Sequence, residues 1–131
     1  RLALEMGLFT GDVDKMGMYS AQSMRAARLV VDAGMHALGW SRQQAIDYML
    51  KNTAESEDAV TSEIDRYIAV PGQATSYMLG ALEIMRLRKQ AESELGAKFE
   101  IKAFHDRVLE DGAVPLSMLR AKIERWIASS K

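Results

Sequence analysis

Apolar residues recur along the chain at spacings of three and four, and no stretch alternates well enough for a strand. The pattern predicts an all-α chain of six or seven helices. The longest segment runs from Val13 to Leu38. Its second half is almost wholly small or apolar: Met24, Ala26, Ala27, Leu29, Val30, Val31, Ala33, Gly34, Met35, Ala37 and Leu38. A helix that is apolar on nearly every side is normally buried. This one nevertheless carries Arg25, Arg28, Asp32 and His36 at intervals of three, four and four. At about 100° per residue they fall within about 80° of arc, so a narrow ionisable stripe runs along a segment expected in a core.

Buried charge is costly unless it is paired. Arg28 and Asp32 stand one turn apart and can pair, as can Asp32 and His36. The stripe then reads in two ways. It is an internal ion network that fixes helix register, or it lines a polar cleft in which Asp32 orients His36. The residues leave both open.

The other segments follow in order. Leu2, Ala3 and Met6 lie at helical spacing with no capping residue before Arg1, so the start reads as a cut through a helix of a longer protein. Gly7 and Gly11 punctuate the link, and Asp12 suits the cap of the long helix. Gly39 suits a left-handed end to it, with Trp40 packing at the corner. Ser41 and Gln44 form a capping box for a helix to about Asn52, with Ala45, Ile46, Met49 and Leu50 as its apolar face. Ser56 caps the next, with Glu57 and Asp58 in its first turn and Val60, Ile64, Tyr67 and Ile68 inward. The two form a helical hairpin.

Pro71 suits the first turn of a helix running to about Leu95, where Gly96 ends it. Its first half is small and apolar and its second charged, like a helix leaving a core for solvent. Phe99 to Glu110 forms another helix with Ile101, Phe104, Val108 and Leu109 inward, closed by Gly112. Pro115 opens the last, where Leu116, Leu119, Ile123, Trp126 and Ile127 repeat, and Ser129 to Lys131 reads as a frayed end.

At 131 residues this is a single helical domain or a piece of a larger one. A formal net charge of -1 argues against a nucleic-acid surface. The absence of cysteine removes disulfides and thiolate chemistry. No run of roughly 18 apolar residues exists to form a transmembrane segment.

The only histidines are His36 and His105, and no His-Glu-x-x-His or calcium loop appears, so the chain carries no self-contained metal site. His105, beside Asp106 and Arg107, reads as a solvated helix residue. Most of the nine methionines lie among Leu and Ala, as core rather than a cofactor box. The second candidate element is the Pro71-Gly72-Gln73 turn, with Tyr77 one turn beyond Gln73. A helix N-terminus there offers backbone donors for a carboxylate or oxyanion. Tyr77 and His36 can donate to developing negative charge if their helices face one another. Tyr77 reads equally well as a buried ring with a satisfied hydroxyl.

The runs RLVVDAGMHALGWSRQQAIDYML, DRYIAVPGQATSYMLG and FHDRVLEDGAVPLSML resemble the C-terminal part of a large bacterial family, domain of unknown function 885. The strongest pieces are Arg28 to Trp40 and Pro71-Gly72-Gln73-Ala74 with Tyr77 and Gly80. The resemblance implies a longer, largely helical protein similar to zincin-type zinc metallopeptidases, often secreted or lipid-anchored, hence of the bacterial periplasm or cell envelope. Zinc is implied for the parent, held upstream by a His-Glu…His helix and a later Glu-bearing helix; none of those ligands would lie in this chain. By the same resemblance His36 and Tyr77 line the cleft opposite the metal, binding substrate or stabilising a tetrahedral intermediate. Arg25 or Arg28, with Gln73, position the peptide or its carboxylate. The fragment alone is then inactive. Its partners are a peptide substrate and the missing N-terminal region, with self-association through apolar patches left exposed. The alternative is a non-enzymatic helical module that binds a peptide or partner helix in a groove.

Overall fold

The computed structural model describes residues 2–131, and the expected helix start at Arg1 lies outside the described residues. The chain forms helices α1 (Leu2–Glu5), α2 (Asp12–Ala37), α3 (Arg42–Asn52), α4 (Glu57–Ala69), α5 (Gln73–Leu95), α6 (Ile101–Leu109) and α7 (Leu116–Ser130), with a 3-10 turn at Gly96–Lys98. No strand occurs among the described residues, and the fold is all-α. Two compact units are present, Arg1–Met78 and Leu79–Lys131, with α5 running through the boundary in the chain.

In the first unit, α2 packs one face against α3 and α4. Ala27, Val31, Ala45, Ile46, Met49, Val60, Ile64, Tyr67 and Ala74 make its core. The capping box of Ser41 and Gln44 forms on α3, and Ser56 caps α4. Asp12 is not the cap of α2: Gly11 holds that position, Asp12 pairs with Lys15 at 3.0 Å, and Asp14 instead accepts from the Thr10 amide and hydroxyl. Only Ala27, Val31, Asp32 and Gly34 of α2 are buried, while Val13, Met16, Tyr19 and Leu38 are exposed. The apolar run therefore does not mean burial all round, because α3 and α4 cover only one face. Leu50 and Ile68 also prove exposed, at the margins of their helices' buried faces.

At the end of α2, Gly39 takes a positive φ of 72°, and the Leu38 and Trp40 amides both donate to the Gly34 carbonyl. The Trp40 ring lies directly on Gly34. A Cβ there would stand 2.6 Å from Trp40 Cδ2, so the close approach requires glycine. Pro71 does not enter α5: Pro71 and Gly72 form the turn before it, and the helix starts at Gln73.

The second unit has an apolar core of Leu87, Ala91, Leu95, Phe104, Leu119, Ile123 and Ile127, with Phe99 and Trp126 against it. The expectation for α5 holds at Ala74, which is buried in the first core, and fails beyond it. Tyr77, Leu79 and Leu82 are about half exposed, while Leu87, Ala91 and Leu95 in the charged half are buried. Those three recur at every fourth residue and form one buried stripe among the charges. Helix α6 begins at Ile101 rather than Phe99, Leu109 is exposed rather than inward, and Pro115 caps α7 from outside it. Helix α7 persists to Ser130, and Lys131 pairs with Glu94 at 2.7 Å, so the end is not frayed. Of the nine methionines, Met49 is buried in the first core and Met24 and Met35 pack against it, while Met6, Met16 and Met118 are exposed.

Candidate functional site

The polar residues of the first unit form two linked groups. Asp32 is the one charged residue buried among the described residues. Its carboxylate accepts from the Gly72 amide at 3.0 and 3.2 Å and from the Thr75 amide at 3.3 Å. These are the donors at the start of α5, where the helix dipole also favours negative charge. Gly72 has φ 81°, a conformation glycine adopts without strain. The turn's donors, expected to be open to a ligand, are thus occupied by the chain's own carboxylate.

His36, one turn beyond Asp32, places Nε2 at 3.4 Å from Asp32 Oδ1 and 3.1 Å from the Tyr67 carbonyl. Both partners are acceptors, so Nε2 carries a proton and donates. Nδ1 has no protein partner among the described residues, and the side chain is 31% exposed. The expected pairing of Asp32 with His36 therefore forms.

The expected pairing of Arg28 with Asp32 does not. Arg28 Nη2 donates to Glu63 Oε2 at 2.7 Å and its Nε to the Tyr67 hydroxyl at 2.7 Å. Asp32 is committed to the α5 amides, and Glu63 and Tyr67 on the facing helix offer Arg28 a better pair. The Tyr67 hydroxyl donates to Glu63 at 2.6 Å. Arg66 donates to both Glu63 oxygens, at 3.2 and 2.9 Å, and to Gln73 Oε1 at 2.8 Å. Gln73 Nε2 donates in turn to the Tyr77 hydroxyl at 3.2 Å. The Arg28 guanidinium lies 5.4 Å from the Tyr77 ring centre and 5.8 Å from that of Tyr67.

Charge follows this geometry. The Arg66 hydrogen bonds, with those from Tyr67 and Arg28 and against the effect of burial, lower the Glu63 carboxyl to about 2. Burial and the bond to Glu63 push the Tyr67 hydroxyl up to about 12.

Of the residues singled out in sequence, Asp32 and His36 are joined, and Arg28, Gln73 and Tyr77 belong to the second group. Tyr77 is not a buried ring; it is 46% exposed. Arg25 joins neither group: it is exposed and donates to the Ala21 carbonyl. His105 is exposed on α6. Glu63, Arg66 and the Tyr67 hydroxyl escaped sequence reasoning, because Tyr67 was assigned wholly to the core. The signal present is their spacing, which places Glu63 one turn before both Arg66 and Tyr67. Among the described residues no three His, Asp or Glu side chains are grouped to hold a metal ion, so these residues do not fit a zinc site.

A family model described as "Bacterial protein of unknown function (DUF885)" matches residues 1–123. The chain is also similar to a solved structure, described as "the crystal structure of the putative lipoprotein from Colwellia psychrerythraea", at 45% identity and a TM-score of 0.91. The match covers 98% of this chain and 22% of that one, so the chain spans less than a quarter of its length. No curated protein matches. No helix among the described residues is long and apolar enough to cross a membrane.

Proposed function

Because the chain belongs to the bacterial family of unknown function DUF885, we propose that it is the C-terminal helical region of a zincin-like peptidase of the cell envelope. In this reading its first unit forms one wall of the peptide cleft. The envelope location rests on the similar protein's description as a lipoprotein. The observation that carries the reading is the built polar network from buried Asp32 to half-exposed Tyr77. Such a network rigidifies a surface and presets which hydrogen bonds it offers.

His36 and Tyr77 face the substrate. Asp32 and the Tyr67 carbonyl fix the Nε2 proton of His36, which leaves Nδ1 to accept a hydrogen bond or a proton. The Tyr77 hydroxyl accepts from Gln73, which leaves its own O–H to donate to a substrate carbonyl or the oxyanion formed from it. Gln73 and Arg28 position Tyr77 from either side. Zinc belongs, on this reading, to the rest of the polypeptide.

The test uses the full-length gene product. Zinc content and hydrolysis of a mixed peptide library are measured for wild type, His36→Ala and Tyr77→Phe. The expected result is bound zinc, peptide cleavage, and a kcat lowered about tenfold or more in Tyr77→Phe with KM little changed. Cleavage unaffected by either substitution overturns the site assignment, and absence of both zinc and cleavage overturns the peptidase reading.

A second reading, a non-enzymatic peptide-binding module, is favoured by the shallow groove where Met16, Tyr19 and Ser23 of α2 meet Lys51, Asn52 and Ala54. It predicts peptide binding that is lost on Tyr19→Glu and unaffected by Tyr77→Phe.

A further inference from the structure

A side-chain amide has nearly the same shape either way round, and its neighbours decide which end is oxygen and which is nitrogen. For Gln73 the decision falls to Arg66. A guanidinium donates and never accepts, so the amide atom 2.8 Å from Arg66 Nη1 has to be Oε1. Nε2 is then turned to Tyr77 and donates to its hydroxyl oxygen at 3.2 Å. A phenol has one proton, and that proton cannot lie between its oxygen and an incoming donor. The Tyr77 O–H therefore points away from Gln73.

Arg66 is itself fixed by other partners than Gln73. Its Nε and Nη2 form a fork on the two oxygens of Glu63, at 3.2 and 2.9 Å. Its guanidinium also lies 4.8 Å from the ring centre of buried Tyr67. Glu63 is held in turn by Arg28 and by the Tyr67 hydroxyl. These groups stand on α2 and α4, whereas Gln73 and Tyr77 stand on α5. Donor and acceptor roles thus pass in one direction, from an anchored carboxylate through a cation and an amide to a phenol.

We infer that Arg66, anchored by Glu63, is a positioning residue: it sets the direction of the Gln73 amide and so keeps the Tyr77 proton free for an acceptor on the substrate. The inference rests on the reading in which Tyr77 faces the substrate, and it extends that site to two residues of α4 that act through Gln73.

The discriminating variant is Gln73→Glu. Both oxygens of a carboxylate accept, so the contact with Arg66 is kept, and the start of α5 favours the added negative charge. The Tyr77 proton, however, is drawn inward to the new acceptor. A merely structural role for the Arg66 contact predicts no loss from this change. In the full-length gene product, kcat for peptide cleavage is expected to fall about tenfold or more in Gln73→Glu, to the level of Tyr77→Phe, with no further fall in the double variant. Arg66→Met, which lets the amide turn either way, gives a smaller fall.

A second readout needs no catalysis. The tyrosine doublet of the Raman spectrum separates phenols that accept a hydrogen bond from phenols that only donate one, and subtracting the Tyr77→Phe spectrum isolates Tyr77. The expected signal is that of an accepting phenol in wild type and of a phenol that donates to a carboxylate in Gln73→Glu. The same signal in both proteins overturns the inference. Full activity of Gln73→Glu beside an impaired Tyr77→Phe overturns it as well. Absence of cleavage in wild type counts against the peptidase reading and not against the inference, which the Raman signal then decides.

Discussion

Each unit holds one long cation exposed to the same small extent, 14%, and the two are treated in opposite ways. Lys122 of the second unit faces two carboxylates, Glu110 at 3.0 Å and Asp111 at 2.7 Å. Burial pulls its ammonium down, but Asp111 and Glu110 together hold it above the usual lysine range. Arg28 of the first unit shares a single carboxylate with a second arginine. The cores differ likewise: that of the second unit is wholly apolar, whereas the first buries the Asp32 carboxylate and the ring of Tyr67. Lys122 shares Glu110 with Arg107 and takes Asp111 besides, so two cations meet two carboxylates and the end of α6 is tied to α7. Arg28 and Arg66 instead meet on Glu63, inside a hydrogen-bonded frame that runs through Tyr67 and Gln73 to Tyr77. The proposed function therefore draws on the first unit, whose polar groups reach into its core.

The sharpest way to break the contrast is to compare one core position from each unit. Asp32→Ala strands the Gly72 and Thr75 amides and should cost about 1–3 kcal/mol in urea denaturation. Ile123→Ala, an apolar truncation in the second unit, should cost about 2–5 kcal/mol. An Asp32→Ala variant as stable as wild type would show that the buried carboxylate contributes nothing to the fold.

A smaller effect separates packing from polarity within the first unit. Gly34→Ala forces a methyl against the Trp40 ring and should destabilise by about 1–3 kcal/mol, with no change in the Asp32 network. Unchanged stability in thermal unfolding would mean that the ring simply moves aside.

The smallest effect is read in acid. Glu63 titrates at about 2 when folded against 4.5 for the free side chain. Its folded value is depressed, so its contribution to stability is complete above 4.5 and is lost as pH falls toward about 2. Glu83 of the second unit is lowered to about 2 as well, by Arg86 and then Arg120. Glu63→Gln should therefore flatten part of the acid unfolding curve and leave the part due to Glu83. An unchanged curve would remove Glu63 from the account.

What was legible in the sequence is what is local. The box of Ser41 and Gln44, the Ser56 cap, the positive φ at Gly39 and the approach of His36 to Asp32 all depend on residues within a turn or two. The partners that define the site are remote: Glu63 is 35 residues from Arg28, and Gly72 is 40 from Asp32. Helical periodicity assigns a face and not the neighbour that meets it, so Arg28 was matched to the nearest carboxylate on its own helix. The inversion along α5 has a related cause. The charges flanking Leu87, Ala91 and Leu95 raise the local polarity without touching the stripe those three share.

The close seat of Trp40 on Gly34 has an optical consequence. The chain has two tryptophans, Trp40 against the first core and Trp126 against the second, where it lies 6.4 Å from the Phe104 ring. Intrinsic fluorescence therefore carries one reporter for each unit. Replacing either indole with Phe leaves emission from one unit alone, so the pair of variants resolves whether the two halves melt in one transition or in sequence.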